Sequence, residues 1–217
     1  MIGFDNSCRE ELVKDIKDKG ESRFMQCLRS TDTPYQQRTM AAFVQAEICN
    51  GYVNGQQVCL SLHCHRMYAS LLSSPEVMHH AHLKKWIALS LSKLCEDFLP
   101  AKRQCIMDSV HLCLYPLLLD AHPAVRMAAV LALGENFGAS VALYPHVLPA
   151  GRRLTQEQSD VREKELEIAM QLLECRADGC AAVRREAIIA ISNVSVDSEF
   201  FLPSARPHAH GFMSCHA

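Results

Sequence analysis

The sequence has few of the features that mark nucleic-acid-binding, membrane or nucleotide-binding proteins. Aromatic residues make up only 6% of the chain and the formal net charge is −2, so there is no basic footprint for nucleic acid. No apolar run approaches the ~18 residues of a membrane span, and the first residues lack the charged and apolar segments of a secretory signal. Neither a glycine-rich phosphate loop nor an HExxH motif occurs. We therefore expect a cytoplasmic protein without nucleic-acid partners, membrane insertion or cofactors.

Cysteine, by contrast, is plentiful, with 11 residues. Most of them fall inside apolar helical patterns, where a free cysteine packs as a small hydrophobic residue. Because the number is odd and no secretory signal is present, we expect no disulfide framework. Cys59 and His63 have the i, i+4 spacing that can share a zinc ion, with Cys64 and His65 beside them. A second ligand pair at defined spacing is missing, so we expect no metal site.

An enzyme of the Cys/His type would need a third group and a formed pocket. No pair among the many histidines and cysteines stands out in this way. We therefore expect no catalytic residues and no enzymatic activity.

The sequence does contain a repeated helical pattern. Residues 120–138 form a polar turn with a proline, then an arginine, then apolar residues at the i, i+4, i+7, i+8 spacing of a helix face. The same pattern returns at residues 177–194, and a weaker copy lies at residues 30–48. In each copy an aspartate precedes an arginine by six residues; the three pairs are Asp32 and Arg38, Asp120 and Arg126, and Asp178 and Arg184.

The anchors Arg38, Lys84, Arg126 and Arg184 follow one another at intervals of 46, 42 and 58 residues. Periods in the low forties are typical of two-helix HEAT-type repeats. We therefore predict an all-α, right-handed α-solenoid of about four HEAT/armadillo-type helix pairs. In it, the aspartate and arginine of stacked repeats can form a structural ladder that fixes repeat register. The second pair has Met78 where the aspartate would be, so its contact should be weaker or different.

The predicted array covers residues 1–196, with an insertion at about 139–156, and residues 197–217 form a disordered tail without a core face. Gly20 should break the first helical segment, and helices are expected at Tyr35–Cys49, at 83–98 and from about Gln156 to Cys175. Pro116 should kink or stop a helix at Ala101–Leu119. The residues predicted to face inward include Met40, Ala41, Val44, Ile48, Leu83, Ile87, Leu91, Leu94, Phe98, Leu166, Ala169, Met170 and Leu173. Trp86 is not among these inward-facing residues and should pack against an adjacent repeat.

Several stretches in the same order resemble one known family. They are ELVKD (11–15), QRTMAAFVQAEICNGYVNGQQVCL (37–60), LKKWIALSLSKLCEDF (83–98), AKRQCIMDSVHLCLYPLLLDAHPAVRMAAVLALGENFG (101–138) and VRREAIIAIS (183–192). Together they are similar to the helical-repeat region of the Raptor family, the regulatory-associated proteins of the TOR kinase. The resemblance covers about residues 5–196.

The resemblance implies a non-catalytic scaffold of TOR complex 1 that contacts the helical repeats of the TOR kinase. It also implies Rag-type small GTPases as partners in animals, with recruitment to the lysosome or vacuole surface. In the family the helical array lies between a caspase-like domain and a WD40 propeller, neither of which is present here. The insertion at 139–156 and the tail after residue 196 depart from the family pattern.

Two further expectations concern partners. Arg152 and Arg153 are candidate partner-binding residues, because binding residues concentrate in loops on rigid scaffolds; the alternative is a solvated loop. A short array exposes apolar end faces, so we expect a fragment of a longer scaffold, or a chain that needs a partner or self-associates. The alternative function is a HEAT-repeat adaptor outside TOR signalling, such as a transport receptor or phosphatase scaffold.

Overall fold

The computed structural model describes residues 6–136 and 155–196, and within that part the secondary structure is entirely helical. Three 3-10 segments lie at Val110–Cys113, Tyr115–Leu119 and Cys175–Ala177. The α-helices are α1 (Asn6–Lys19), α2 (Arg23–Arg29), α3 (Tyr35–Cys49), α4 (Val53–Ser61), α5 (Cys64–Leu72), α6 (Pro75–Met78), α7 (Ala81–Cys95), α8 (Leu99–Met107), α9 (Pro123–Glu135), α10 (Gln156–Glu174) and α11 (Ala181–Val196).

These helices form four repeats, comprising α1–α3, α4–α7, α8–α9 and α10–α11. The last helix of each repeat, which we call the second helix, packs along the second helix of the next, so that α3, α7, α9 and α11 form one continuous layer. The remaining helices form the other layer, with α1 against α4, α5 against the 3-10 segment after α8, and α8 against α10. The predicted all-α solenoid is therefore confirmed.

Helix α7 shows why the array is stable. Its residues Leu83, Ile87, Leu91 and Leu94 are fully buried, as their spacing predicts. Because α3 lies on one side and α9 on the other, α7 needs a wide apolar arc rather than a narrow seam. Each of these side chains contributes roughly 1.5–3 kcal/mol by burial. Trp86 contacts the ring of Phe43 in the preceding repeat edge to face, at 4.8 Å between ring centroids, as predicted.

Small residues let the second helices approach closely. A Cβ atom added to Gly134 of α9 would lie 2.8 Å from the Cβ of Ala190 in α11. The hydroxyl of Ser90 in α7 donates a hydrogen bond of 3.0 Å to the backbone carbonyl of Ala42 in α3. Such contacts place the helix backbones in a fixed register along the array.

The first helices of the second and third repeats are broken where the backbone enters the left-handed region. His63 (φ 55°) separates α4 from α5, and Ser109 (φ 55°) ends the helical run that starts at α8. The continuous predicted helix at Ala101–Leu119 is therefore wrong, and its break lies before Pro116 rather than at it. Pro116 instead occupies the first turn of a 3-10 segment, where the missing N–H costs little.

Some predicted inward faces are also wrong. Met40 of α3 is 59% exposed, although Ala41 and Ile48 are buried. In α10 the buried side chains are Val161, Glu165, Ile168, Leu172 and, just beyond the helix, Cys175, whereas Leu166 and Met170 are exposed. The predicted face is displaced by about one residue, because this helix carries two overlapping apolar series and the buried one includes a glutamate.

The insertion predicted at 139–156 lies almost wholly outside the described residues, and the tail predicted at 197–217 lies entirely outside them. Within the described ranges, no helix has both the length and the apolar character needed to cross a bilayer.

Candidate functional site

Charged side chains connect successive second helices near their N-terminal ends. The third connection along the chain joins Arg126 of α9 to Asp178, in the turn that precedes α11. Arg126 donates from Nε to one carboxylate oxygen at 2.6 Å and from Nη2 to the other at 2.8 Å. Its Nη1 donates to the backbone carbonyl of Asp120 in its own repeat, at 2.8 Å. The Arg126 guanidinium lowers the pKa of Asp178, so this pair stays charged at neutral pH.

The second connection joins Lys84 of α7 to Asp120, in the turn that precedes α9. Both side chains are almost fully buried. Burial opposes ionisation of Asp120, but hydrogen bonds from Lys84 and from the backbone N–H of His122 outweigh it and lower the pKa of the carboxyl group. Lys84 thus does for the second repeat what Arg126 does for the third.

The first connection is weaker and uses Glu76 in α6, the short helix before α7. Arg38 of α3 is 2% exposed, and its Nη1 lies 3.9 Å from a Glu76 oxygen, too far for a hydrogen bond. Its Nε donates to the carbonyl of Leu28 at 3.2 Å, and its guanidinium lies 5.5 Å from the centre of the Tyr35 ring. The Tyr35 hydroxyl also donates to Glu76, at 3.1 Å. Met78 stands where the other repeats have an aspartate, and Glu76, two residues earlier, supplies the acidic group that faces Arg38.

At the two ends the ladder is open. Arg184 of α11 donates from Nη1 to the carbonyl of Asp178 at 2.7 Å, as Arg126 does to Asp120, but no carboxylate of the described residues forms an ion pair with it. At the other end, Asp32 is exposed, and no described cation forms an ion pair with it. Of the six predicted ladder residues, the structure brings together Asp120, Arg126, Asp178 and Arg184. Arg152 and Arg153 lie outside the described residues.

A second charged network joins the first helices of repeats two and three. The buried ring of His65 lies 2.7 Å from an Asp108 oxygen through Nε2, and Arg66 forms a bidentate pair with the same carboxylate at 2.8 and 3.0 Å. The hydrogen bond from Arg66 is the main reason why the pKa of Asp108 lies well below its usual range. Burial lowers the pKa of His65, so its neutral ring is favoured. Both groups flank the helix breaks at His63 and Ser109.

The outer surface of the second-helix layer carries an aligned apolar row. Each member lies five residues after the ladder cation of its own helix, and each is at least partly exposed. We call these four residues the outward row: Phe43, Leu89, Leu131 and Ile189. Sequence analysis did not find this row, although the repeat anchors and a fixed offset from them would have shown it. A rigid row across four stacked helices is a surface on which another helical protein can pack.

The cysteine and histidine side chains that suggested a metal or catalytic site do not come together in the structure. The Cys59 thiol faces Gln45, at 3.6 Å, while His65 turns to Asp108. Within residues 6–136 and 155–196, no three histidine, cysteine, aspartate or glutamate side chains are placed to hold a metal ion. Hydrogen bonding with Cys49 raises the pKa of the Cys59 thiol, and hydrogen bonding with Cys59 together with burial raises that of Cys64. Protonated thiols of this kind are poor nucleophiles.

Comparison with known proteins gives one consistent result. The raptor homolog of Dictyostelium discoideum is 38% identical over 138 residues, which is 64% of this chain and 9% of that protein. The target of rapamycin complex 1 subunit mip1 of Schizosaccharomyces pombe is 27% identical over 203 residues, which is 91% of this chain and 14% of that protein. The crystal structure of Chaetomium thermophilum Raptor superposes with a TM-score of 0.72 at 28% identity, covering 91% of this chain and 17% of that one.

Regulatory-associated protein of TOR 1 of Arabidopsis thaliana is 32% identical over 200 residues, which is 88% of this chain and 14% of that protein. The chain belongs to the Raptor family. The resemblance inferred from the sequence is thereby confirmed over about nine-tenths of the chain. The chain spans less than one-fifth of the length of these Raptor relatives, whether measured against the sequences or against the solved structure. No family model matches it. A designed armadillo repeat protein superposes with a TM-score of 0.50 at 15% identity, which shows the fold alone.

Proposed function

We propose that this chain is a non-catalytic scaffold or adaptor of TOR complex 1. One relative, the fission yeast protein, is named as a subunit of target of rapamycin complex 1, which supports the assignment to this complex. The observation that carries the proposal to this chain is the outward row, which offers an extended apolar surface on a rigid stack of helices. Such a surface suits protein binding, because it is apolar and spans four helices.

The proposed main partner is the helical-repeat region of the TOR kinase. The outward row has the character of an interface core, since Phe43, Leu89 and Leu131 are only partly covered within the chain. Charged residues border it four residues further along the helices, and Lys93 of α7 and Glu135 of α9 are examples. An apolar centre with a charged rim is the usual anatomy of a protein interface.

Rag-type small GTPases are the proposed second partner, with Arg152 and Arg153 as the contact residues on this side. Through such a partner the chain would act in the cytoplasm and be recruited to the lysosome or vacuole surface. This part of the proposal rests on the family resemblance and on the placement of the two arginines in a long inter-helix connection.

The test is a binding measurement with the full-length chain and purified TOR kinase. The variant Leu89→Asp/Leu131→Asp places two charges in the centre of the outward row and should weaken binding at least about tenfold, because the carboxylates would have to be desolvated in the interface. The control is Leu119→Asp, since Leu119 is 89% exposed and lies outside the outward row. This control should bind like the wild-type chain.

Circular dichroism must show that both variants keep the wild-type helix content. Equal binding by the row variant and the control would refute the outward row as the interface. Absence of any binding to TOR, with capture of a transport cargo or phosphatase subunit instead, would favour an adaptor outside TOR signalling. A separate measurement with nucleotide-loaded Rag GTPases and Arg152→Glu/Arg153→Glu tests the second partner.

A further inference from the structure

A short basic motif lies directly before helix α10. Arg152 and Arg153 stand three and two residues before Thr155, in the order Arg-Arg-Leu-Thr. No other serine or threonine in the sequence has a basic residue at both of these positions. The proposed function uses the two arginines as a partner contact but gives the threonine no role. The motif therefore points to chemistry at the Thr155 hydroxyl.

The spacing of this motif matches the substrates of arginine-directed serine/threonine protein kinases. These enzymes select a segment by its charge pattern, because carboxylates in the substrate groove hold the arginine side chains and so orient the hydroxyl that follows. Recognition of this kind also requires that the hydroxyl be accessible and that the chain around it can become extended. Both requirements can be examined in the structure.

The structure places Thr155 where a kinase can reach it. Its side chain is exposed, and its backbone carbonyl accepts a hydrogen bond from the N–H of Ser159 at 3.0 Å, so Thr155 is the N-cap residue of α10. Gln156 and Glu157 are also exposed, and the first buried side chain described in α10 is Val161. The first turn of α10 can therefore unwind into an extended segment without exposing the core.

A phosphate group suits this position. It adds a charge of about −1.5 to −2 at pH 7, and the N-terminal end of a 19-residue helix stabilises negative charge through its N–H groups and its dipole. The acidic neighbour Glu157 is paired with Arg103 of α8 at 2.7 Å, so its repulsion of a phosphate is reduced. Phosphorylation would therefore leave α10 folded while it neutralises the two arginines that precede Thr155.

We propose that Thr155 is a phosphorylation site for an arginine-directed serine/threonine kinase, and that phosphorylation switches off the partner contact at Arg152 and Arg153. In the reaction the Thr155 oxygen forms a bond to the γ-phosphorus of ATP, and the bond from that phosphorus to the β–γ bridging oxygen breaks. ADP leaves, and the hydroxyl proton passes to a carboxylate of the kinase. The phosphate offsets the charge of the arginine pair and lowers its attraction for an acidic surface. The switch rests on the proposed partner contact, whereas the modification site does not.

The first test is phosphorylation of the purified full-length chain by the catalytic subunit of cyclic-AMP-dependent protein kinase with Mg²⁺ and ATP. Mass spectrometry should show one added phosphate group, located at Thr155 by fragmentation. Thr155→Val should remove it and Thr155→Ser should retain it. Arg152→Ala/Arg153→Ala should lower kcat/KM at least about tenfold, because the kinase loses both charge-assisted contacts. Ser159→Ala, one helical turn further on, is the control and should be phosphorylated like the wild-type chain.

A wild-type chain that gains no phosphate, or a Thr155→Val variant that is phosphorylated as fast as the wild type, would overturn the modification site. The second test compares the phosphorylated and unphosphorylated chains in binding to nucleotide-loaded Rag GTPases. Phosphorylation should weaken binding at least about tenfold, as Arg152→Glu/Arg153→Glu should. If the charge reversal weakens binding and phosphorylation does not, the switch is wrong. If neither change affects binding, the partner contact and the switch are both wrong, while the Thr155 site is decided by the first test.

Discussion

Arg126 and Asp178 are 52 residues apart in the sequence and meet through two hydrogen bonds of 2.6 and 2.8 Å. The planar guanidinium satisfies both carboxylate oxygens at once, which fixes the two helices in direction as well as in distance. Asp178 also accepts from the backbone N–H of Cys180 at 2.7 Å, so its own position is held by the turn. This ion pair therefore sets the register of α11 against α9, and that register aligns the outward row.

The buried ion pair between Lys84 and Asp120 provides the first prediction. Lys84→Met should destabilise the fold by about 3–5 kcal/mol, because it removes the cation from the buried Asp120 carboxylate and leaves only the hydrogen bonds from His122. The double variant Lys84→Met/Asp120→Leu should cost less than Lys84→Met alone, since no charge then remains. Urea unfolding of the single and double variants measures the difference.

An exposed ion pair provides the control for this prediction. Lys19 and Asp15 form an ion pair one helical turn apart in α1, and both side chains are well exposed. Lys19→Met should change stability by no more than about 1 kcal/mol. A similar cost at Lys84 and at Lys19 would mean that the ladder contributes little to the fold.

The second prediction concerns the close approach of α9 and α11. Gly134→Ala should destabilise the protein by about 1–3 kcal/mol, because the new methyl group would stand 2.8 Å from the Cβ of Ala190 and neither atom belongs to a flexible chain end. Higher helix propensity of alanine, worth up to about 1 kcal/mol, offsets part of this cost. The matched control is Gly179→Ala, where nothing lies within 4 Å of the added atom. Thermal melts of both variants decide the matter, and equal melting temperatures would argue against tight packing here.

Helices with clear boundaries could be predicted from the sequence alone. Helix α3 begins and ends where the pattern places it, at Tyr35 and Cys49, because Pro34 precedes it and Asn50-Gly51 follows it. The seam of α7 is equally clear, since Ile87, Leu91 and Leu94 belong to one unbroken series. Local sequence decides these elements, and the tertiary contacts agree with it.

Other features depend on contacts that local sequence does not contain. Ser109 and His63 adopt the left-handed conformation although neither is glycine, so no turn signal marks the helix breaks. In α10 the choice between the series of Leu166 and the series of Ile168 is made by packing against the preceding repeat. The third acid of the ladder, Glu76, faces Arg38. It was missed because it precedes Lys84, the ladder cation of its own repeat, by eight residues rather than six.

The outward row could not be identified before the repeats were in register. Phe43, Leu89, Leu131 and Ile189 share an offset from the ladder cations, but the sequence does not say which offset faces solvent. The stacked helices decide this, because they cover the positions four residues after Arg38, Lys84 and Arg126 and leave the next position open. Candidate partner residues were therefore sought in the long connection at Arg152 and Arg153 instead.

The last prediction concerns the dependence of stability on pH. His111 is 1% exposed, and its Nδ1 atom has no hydrogen-bond partner among the described residues. Burial, together with the positive charge of Lys164 on α10, lowers the pKa of His111 from 6.5 to about 4. The unfolded chain therefore binds a proton that the folded chain does not between pH 6.5 and pH 4. Stability is present in full above pH 6.5 and decreases as the pH falls through this window, by about 3 kcal/mol from this residue.

His111→Gln should flatten this decrease, because glutamine does not titrate. His65 should retain part of the slope, since its pKa is lowered too, and below pH 4 protonation of Asp108, Asp120 and Asp178 should destabilise both proteins alike because their folded-state pKa values lie below the ordinary value. The measurement is the free energy of unfolding in urea from pH 8 to pH 3, with His82→Gln, an exposed position on α7, as the control. If His111→Gln and His82→Gln give the same slope between pH 6.5 and pH 4, the buried ring of His111 does not couple protonation to folding.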